Sequence, residues 1–565
     1  MHLLLHPVLS PLCCCASLSD HTPVLTMLSC ILSTVYYLWI ATATVTSYTP
    51  YKCTCDGACT VTTSTGKYTG VSDSTGVRFL SLHYAKAPTG SLRFADPVAF
   101  SPQSDVTYSG TSLPPYCPQG TYDNESEDCL FLNVFRPTPV LNESLRPVMV
   151  WIHGGSFTSG GSADPVIYGA DLAQNENIIV VTVNYRLGLL GMFDDGTNTN
   201  FAIKDVIMAL QWVQTNIKLF RGDASKVTIA GQSSGGTLIR SLMSTSQASG
   251  LFERAILMSD PMDYGFYPRS TSTGLITPLV YSATGCSNIT CMRGLSVDSL
   301  LTAQTTVASE APAAYIQVNK AMPFSPVIDN SLIYSDFAVY AEQNTLPVKV
   351  PMLMGTTKDE ANPAVESMFP SAISTVYYEY ILQESIGQRR TETVMASGEF
   401  DLDDSNNDTT RLEGAFFSTS FYWTCAVSKL AEIITATSKT VYLYTLDVGI
   451  TYPDYESFSL CQGAYVCHGS DLYPLFGTYN ASTVTSAEIA VSQELQLRWG
   501  NYVKTGNPNT SGSSSSYASW QPVVSSTNLN AHNFGWDNVS QAILPTKCGA
   551  LLGGSVPFDY QLSST

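Results

Sequence analysis

Short apolar runs separated by polar or glycine-containing segments recur along the chain and predict its architecture. Six runs are rich in β-branched residues and lack polar alternation, as strands buried on both faces do; they are residues 148–152, 178–183, 227–230, 255–258, 350–354 and 441–446. Val206, Leu210, Val213 and Ile217 recur at helical spacing, and Trp212 beside them is expected to pack. Strands alternating with helices indicate an α/β fold with a mostly parallel sheet. Residues 401–410 and 511–516 are predicted to be polar loops.

A Gly-x-Ser-x-Gly pattern, residues 231–235, joins the strand at 227–230 to a helix-compatible run. Glycines two positions before and after Ser233 allow a sharp turn that raises the hydroxyl at the end of a sheet. The next N–H, on Ser234, then lies at a helix N-terminus, where it can stabilise an oxyanion. A pattern of five such residues occurs by chance in many proteins. Its interpretation as a catalytic turn therefore depends on whether the chain also offers a base and an acid for Ser233.

A serine hydroxyl becomes nucleophilic when a base, most often histidine, takes its proton. In sheet enzymes with this turn, the acid and then the histidine follow the serine along the chain. Of the seven histidines, only His468 and His532 come late enough. His468 lies in a glycine-containing loop that can present an imidazole, whereas His532 is interpreted as a surface loop residue. We therefore expect His468 to be the base.

The acid that orients the base is expected in the loop after the strand at 350–354. Asp359 and Glu360 both lie there, and a carboxylate at that place can hold the imidazole tautomer and stabilise its charged form. The alternative is that both are solvated loop residues, as most acidic residues are. Position favours Glu360 over Asp359.

A second loop can supply further oxyanion donors. The buried run at 148–152 opens into His153-Gly154-Gly155-Ser156-Phe157. Successive glycines leave backbone N–H groups able to approach a substrate closely. A glycine turn without chemical meaning is the alternative, but the two loops follow different strands in the order that the mechanism needs.

With these residues in place, the chain resembles the type-B carboxylesterase and cholinesterase family, from about Cys59 to about Cys548. The matching pieces lie in family order along the chain; they are Tyr84-Ala85, Leu92-Arg93-Phe94, Ser126 to Val134, Asn184 to Gly188, Ala209 to Val213 and Lys504 to Asn509. The resemblance implies an α/β-hydrolase fold, a large central sheet flanked by helices with helical insertions. Length alone predicts three or four domains. A single site assembled from residues 233 to 468 argues instead for one large domain, residues 59–550.

The resemblance also implies roles for individual residues. Ser233 would be the nucleophile, Glu360 the acid and His468 the base, with oxyanion donors on the N–H groups of Gly155, Ser156 and Ser234. Family disulfide positions fall on Cys117–Cys129, Cys286–Cys291 and Cys425–Cys548, which leaves Cys461 with Cys467. The family usually has glutamate where this chain has Gln232, so a charge near the imidazolium is missing. Ser156 replaces a family glycine and narrows the pocket.

Composition favours a secreted protein. Fifteen cysteines suit an oxidising compartment, and seven Asn-x-Ser/Thr sequons suit a glycosylating one; they begin at Asn124, Asn142, Asn288, Asn407, Asn480, Asn509 and Asn538. The 27 basic and 46 acidic residues disfavour nucleic acid and anionic membranes as partners. Cys53, Cys55 and Cys59 cannot all pair among themselves, so one is free or intermolecular. We expect no cofactor and no metal.

The first 51 residues carry one acid, Asp20, and no Lys or Arg. An uncharged apolar core at 28–40 and Ala41-Thr42-Ala43 predict a signal peptide, residues 1–43, before a Cys-containing extension, 44–58. Met27 is an alternative start. An uncleaved anchor, which would attach the protein to a membrane, is the other alternative, since 28–45 is at the short limit for a span. The tail, 551–565, has no long apolar run.

The predicted activity is broad hydrolysis of small esters with short to medium acyl chains. The loop between Cys117 and Cys129 is short and lacks the tryptophan with which cholinesterases hold choline. The alternatives are a lipase or sterol-ester hydrolase of the same family and a non-catalytic adhesion protein of the same fold. The physiological ester and the oligomeric state stay open.

Overall fold

The apolar runs form neighbouring strands of one sheet in the computed structural model, which describes residues 59–548 apart from 74, 139–143, 263–264, 315–322, 387, 399, 401–406, 438, 510–516, 525–528, 536–539 and 543–547. The strands are β1 Cys59–Thr63, β2 Gly66–Asp73, β3 Gly76–His83, β4 Thr107–Ser109, β5 Phe131–Arg136, β6 Arg146–Ile152, β7 Ile179–Val183, β8 Gly222–Gln232, β9 Arg254–Met258, β10 Tyr267–Pro268, β11 Val327–Ile328, β12 Met352–Thr357, β13 Val441–Leu446, β14 Asn530–Phe534 and β15 Ser540–Ala542. The helices are α1 Ala170–Glu176, α2 Gly188–Met192, α3 Phe201–Asn216, α4 Ser234–Met243, α5 Arg269–Thr271, α6 Thr277–Thr284, α7 Ile289–Arg293, α8 Val297–Ala314, α9 Phe337–Glu342, α10 Asn362–Met368, α11 Thr375–Ile386, α12 Gln388–Ala396, α13 Asn407–Thr419, α14 Cys425–Ala436, α15 Leu472–Phe476 and α16 Ser486–Thr505.

In the described part of the chain, thirteen strands form the main sheet. Twelve follow the order β1-β2-β3-β5-β7-β6-β8-β9-β12-β13-β14-β15, and β4 pairs with β2. From β7 to β14 every neighbouring pair is parallel. Strands β1, β2, β3, β5 and β7 pair antiparallel, as do β14 and β15. The predicted mostly parallel sheet is confirmed, and all six predicted strands are present with slightly shifted bounds.

Both faces of the sheet are buried. Because successive side chains of a strand point to opposite faces, each central strand contributes to two apolar cores. In β6, Val148, Val150 and Ile152 join the larger core cluster. Met149 and Trp151 join the cluster on the opposite face. Each central strand therefore lacks a polar face, which explains its uninterrupted apolar run.

Helix α3 carries Val206, Leu210 and Val213 of the predicted stripe, all fully buried. Ile217, the fourth member, is also buried and begins the 3-10 turn that follows the helix. Trp212 is 4% exposed and its indole N–H donates to Thr65 Oγ1 over 2.9 Å. The expectation that this tryptophan packs is confirmed.

Helices α11 to α13 form a helical insertion with its own apolar cluster; its buried members are Tyr378, Leu382, Ile386, Val394, Phe400, Phe417, Phe421 and Cys425. The prediction of a loop over 401–410 is wrong from Asn407, where α13 begins. The first turn of α13 is polar, and its buried apolar residues, such as Ala415 and Phe417, come only later in the helix. The loop predicted at 511–516 lies outside the described residues.

Four disulfides join described residues. Cys117–Cys129, Cys286–Cys291 and Cys425–Cys548 are the three pairs that the resemblance implies, and Cys461–Cys467 is the pair that they leave. Cys59 is also disulfide-bonded, and its partner lies outside the described residues. The expected signal peptide, the extension over 44–58, the tail over 551–565 and the sequons at Asn142 and Asn538 lie outside them too. None of the described helices combines the length and the apolar character needed to cross a bilayer.

Candidate active site

Ser233 occupies the turn between β8 and α4. Its φ of 56° and ψ of −128° belong to a region that non-glycine residues rarely adopt. The flanking glycines make this turn possible: a Cβ on Gly235 would lie 2.2 Å from the Ile152 carbonyl oxygen, and one on Gly231 would lie 2.7 Å from the Gly235 carbonyl carbon. The Ser233 N–H donates to the Met258 carbonyl over 2.9 Å, which fixes the turn at the end of β9.

His468 and Glu360 form a hydrogen-bonded pair beside this turn. His468 Nδ1 lies 2.5 Å from Glu360 Oε2, and Glu360 Oε1 accepts the Thr357 N–H over 2.7 Å. The carboxylate is fully buried, whereas the imidazole is 16% exposed. A carboxylate so placed holds a proton on Nδ1 and leaves Nε2 to act on a substrate.

Asp359, the other acid considered, contacts the loop that carries the histidine rather than the imidazole. Its N–H donates to the Val466 carbonyl over 3.0 Å, and its Oδ2 accepts the Val466 N–H over 2.8 Å. The Cys461–Cys467 disulfide closes the same loop one residue before His468. Asp359 therefore helps to place the imidazole, while Glu360 contacts it.

Gln232 links the imidazole to the turn that carries Ser233. Its amide Nε2 lies 3.0 Å from His468 Nε2. Within the described residues, Ser233 Oγ makes no hydrogen bond to His468 Nε2. The structure thus brings the histidine to the residue next to the serine, with Gln232 as the direct partner of Nε2.

A second buried carboxylate, Asp471, lies near the pair and was not predicted to have a role. Burial, followed by the nearby Glu360 charge, raises the pKa of Asp471 to about 7, while His468 acts in the opposite direction. The Tyr444 hydroxyl donates to Asp471 Oδ2 over 3.3 Å. Asp471 lies three residues after His468, and only that proximity in sequence could have drawn attention to it.

The indole of Trp423 closes another side of the imidazole, 5.6 Å from the His468 ring centre. Its N–H donates to the Ser259 carbonyl over 2.9 Å. Trp423 lies in a π-helical turn, Ser420–Thr424, between α13 and α14, and such turns are frequent at functional sites. No sequence signal had selected this residue.

The glycine loop after β6 lies against the turn that carries Ser233. A Cβ on Gly154 would be 3.1 Å from Ser233 Cβ. Gly155, Ser156 and Phe157 all have positive φ, and the Phe157 N–H donates to Ser234 Oγ over 3.2 Å. The N–H groups of the three expected donors, Gly155, Ser156 and Ser234, make no hydrogen bond within the described part of the chain.

The remaining late histidine, His532, is not in a surface loop, so that interpretation is wrong. It is fully buried in β14, where its Nε2 lies 3.0 Å from Glu494 Oε1 and its ring stacks on Trp520. Glu494 also binds Arg498. Polar neighbours such as Asn533 made this segment resemble a loop in the sequence. A polar residue can be buried when it has a hydrogen-bond partner, and the partner of His532 is distant in the chain.

The contacts of His153, in the glycine loop, are structural. Burial lowers its pKa to about 4. Its ring stacks on Tyr185 at 4.3 Å, and the Tyr185 hydroxyl donates to the His153 carbonyl over 2.6 Å. These contacts hold the start of the loop against the Ser233 turn, because a Cβ on Gly235 would lie 2.8 Å from the His153 carbonyl oxygen.

The short loop between Cys117 and Cys129 packs on the glycine loop. Gln119 accepts the Gly160 N–H over 2.8 Å and donates to the Gly160 carbonyl over 3.0 Å. The rings of Tyr116 and Tyr122 stack at 3.9 Å. Among the described residues, no group of three or more His, Cys, Asp or Glu side chains is arranged to hold a metal.

Comparison with known proteins agrees with this geometry. The sequence pattern of the carboxylesterase family matches residues 58–548. A relative from Dictyostelium discoideum named Crystal protein is 30% identical, covering 83% of this chain and 86% of its own. Carboxylesterase 1C of Rattus norvegicus is 28% identical over 77% of this chain and 82% of its own. Para-nitrobenzyl esterase of Bacillus subtilis is 29% identical over 80% of this chain and 90% of its own.

Solved structures show the same fold. A structure titled PNB esterase has a TM-score of 0.70 and 26% identity, covering 84% of this chain and 95% of its own. A thermophilic PNB esterase gives the same values. The predicted α/β-hydrolase fold is confirmed.

Proposed function

The chain belongs to the carboxylesterase family, and we propose that it hydrolyses carboxylic esters through an acyl-enzyme formed on Ser233. Ester hydrolysis as the general activity follows from the family. The observation that most supports the serine mechanism is the hydrogen-bonded pair of Glu360 and His468, 2.5 Å apart between Oε2 and Nδ1. Through its Nε2, this pair contacts Gln232, the residue next to Ser233. Three unengaged N–H groups lie beside the same turn.

The reaction has two acyl-transfer steps. Ser233 Oγ attacks the ester carbonyl while its proton passes to His468 Nε2, and Glu360 stabilises the imidazolium. The N–H groups of Gly155, Ser156 and Ser234 donate to the oxyanion of the tetrahedral intermediate. His468 returns the proton to the departing alcohol. Water then attacks the acyl-enzyme by the same route and releases the acid.

Broad specificity for small esters with short to medium acyl chains is the substrate class that we propose. The loop between Cys117 and Cys129 is short and has no tryptophan to hold a quaternary ammonium. A lipase or sterol-ester hydrolase is the alternative within the family. Rates on p-nitrophenyl butyrate and palmitate, below and above the micellar limit, separate the two: preference for butyrate in monomeric solution is expected, and activation at an interface contradicts it.

A non-catalytic adhesion protein is the alternative from another class. One relative, Crystal protein, has a name that states no activity. Retention of Ser233, Glu360 and His468 together favours the enzyme, because a chain that no longer catalyses has no need for the strained turn and the buried pair.

Secretion is part of the proposal. The four disulfides between described residues support it, and the sequon residues Asn124, Asn288 and Asn480 are exposed. The Asn509 side chain, by contrast, is hydrogen-bonded to Arg498 and Trp520, so a glycan there would break these bonds. Culture medium of a eukaryotic host should contain protein that begins near residue 44 and loses mass with peptide N-glycosidase. Unmodified protein confined to the cytosol contradicts secretion.

Replacing Ser233 or His468 by alanine tests the mechanism. Each variant should lower kcat on p-nitrophenyl butyrate by a factor on the order of 10⁶, because members of a triad act as a unit. Exposed Ser296 provides a control for the serine substitution, and Ser296→Ala should keep wild-type kcat. A folded Ser233→Ala protein with wild-type hydrolysis refutes the assignment.

A further inference from the structure

The partner of His468 Nε2 in this structure is an amide rather than the serine hydroxyl. Glu360 takes the Nδ1 side of the ring at 2.5 Å. In the neutral imidazole, Nε2 therefore carries a lone pair, and the Gln232 amide N–H at 3.0 Å donates to it. That lone pair is the one that must receive the proton of Ser233 in the proposed mechanism.

The surroundings of the imidazole already contain several acidic groups. Glu360 follows β12, Asp471 precedes α15, and the Asp359 carboxylate holds the histidine loop. Tyr444 from β13 donates to Asp471, and Tyr455 lies near the Glu360 charge. Trp423 contributes an uncharged face. A glutamate at position 232 would add one more carboxylate to this set.

An amide can match both states of the imidazole, whereas a carboxylate can match only one. The amide of Gln232 donates from Nε2 to the neutral ring. A half-turn of the amide plane presents Oε1, which accepts from the Nε2–H of the imidazolium. Room for this turn depends on Gly154, since a Cβ there would lie 2.7 Å from Gln232 Oε1.

We propose, on the basis of the function proposed above, that Gln232 is a positioning residue that holds His468 in both its neutral and its protonated state. The amide gives way to Ser233 during attack, and its oxygen then accepts from the imidazolium. Because the amide carries no charge, it does not favour the protonated ring. The enzyme consequently retains its base at lower pH than it would with glutamate at this position.

Two variants of Gln232 test this role through the pH dependence of kcat/KM on p-nitrophenyl butyrate. Gln232→Glu places a carboxylate against Nε2, so the midpoint of the acidic limb should rise by about one pH unit. Gln232→Met keeps the volume and loses both hydrogen bonds, so kcat/KM should fall about fivefold at every pH, with the midpoint unchanged. Gln211→Glu, on the exposed face of α3, adds the same charge in solvent and should leave the profile unchanged.

The outcomes separate this proposal from the proposed function. A wild-type protein without hydrolysis would contradict the function itself. An active wild type whose Gln232→Glu profile keeps the wild-type midpoint overturns only the role of Gln232. If Gln232→Glu does not fold, Gln232→Met still decides, because wild-type kcat/KM in that variant at every pH contradicts a positioning role.

Discussion

At the scale of single residues, the chemistry of the site depends on which carboxylates near His468 carry charge. Glu360 is buried but has the Thr357 N–H and the imidazole as partners. Asp471 is buried with the Tyr444 hydroxyl on Oδ2, and its Oδ1 has no hydrogen bond within the described residues. A carboxyl in that position is easily kept protonated, since burial penalises its charge.

Asp471 should therefore make the folded protein less stable as pH rises. Its pKa is about 7 in the fold, against an ordinary value of 3.8. Between these values the folded state binds more protons than the unfolded state, so the free energy of unfolding falls with increasing pH. From pH 5 to pH 8 the loss should be about 3 kcal/mol.

Asp471→Asn removes this titration, so its melting temperature should fall less between pH 5 and pH 8 than that of the wild type. Asp298→Asn, at an exposed position on α8, should keep the wild-type difference. Equal pH dependence in Asp471→Asn and wild type contradicts a buried, protonated Asp471.

Single residues also show the limit of sequence reasoning. Ser233, Glu360 and His468 were selected by motif, chain order and resemblance, all of which are written in the sequence. Asp471, Trp423 and the burial of His532 were missed because each depends on partners far away in the chain. Tyr444, for instance, lies 27 residues from Asp471.

At the scale of elements, the loop after β6 and the turn after β8 fit against each other because both lack side-chain bulk. Adjacent parallel strands end at the same edge, and β6 pairs directly with β8. Gly154 faces the backbone and side chain of Gln232, while Gly235 faces the Ile152 carbonyl. The two glycine patterns of the sequence therefore have one structural cause, the close approach of these segments.

Gly154→Ala should separate the loop after β6 from the turn after β8. The new Cβ would lie 2.7 Å from Gln232 Oε1 and 2.8 Å from the Gln232 carbonyl oxygen. The loop must move, and its oxyanion donors move with it. We expect kcat to fall by about 10²–10³, as on loss of an oxyanion donor, with a melting temperature close to that of the wild type.

Gly274→Ala is the matched control, because a Cβ on Gly274 meets no atom within 4 Å and its φ is ordinary. It should retain wild-type kcat. Unchanged kcat in Gly154→Ala would show that the loop does not supply the oxyanion donors.

At the scale of the whole molecule, the sheet explains why residues more than 200 positions apart can form one site. The nucleophile turn follows β8, Glu360 follows β12, and the His468 loop comes after β13; β9 alone separates β8 from β12. Strand existence and direction were predictable because each central strand is apolar on both faces. The helical insertion was harder to predict, since the start of α13 is polar and its cluster is formed by tertiary contacts.

The acidic character of the chain predicts how the enzyme discriminates charged substrates. A net charge of −19 attracts cations over a distance that salt shortens. For a cationic ester, kcat/KM should decrease several-fold between about 10 mM and about 300 mM salt. A neutral ester of the same size is the control and should change little. Equal salt dependence for both esters contradicts electrostatic attraction.

Covalent labelling shows whether one serine is made reactive by a distant histidine. Native protein would be treated with a fluorophosphonate probe, digested and mapped by mass spectrometry, with heat-denatured protein and His468→Ala as controls. We expect a single modified residue, Ser233, in the native wild type and none in either control. Folded wild-type protein that carries no label at Ser233, or an equally labelled His468→Ala variant, would contradict this expectation.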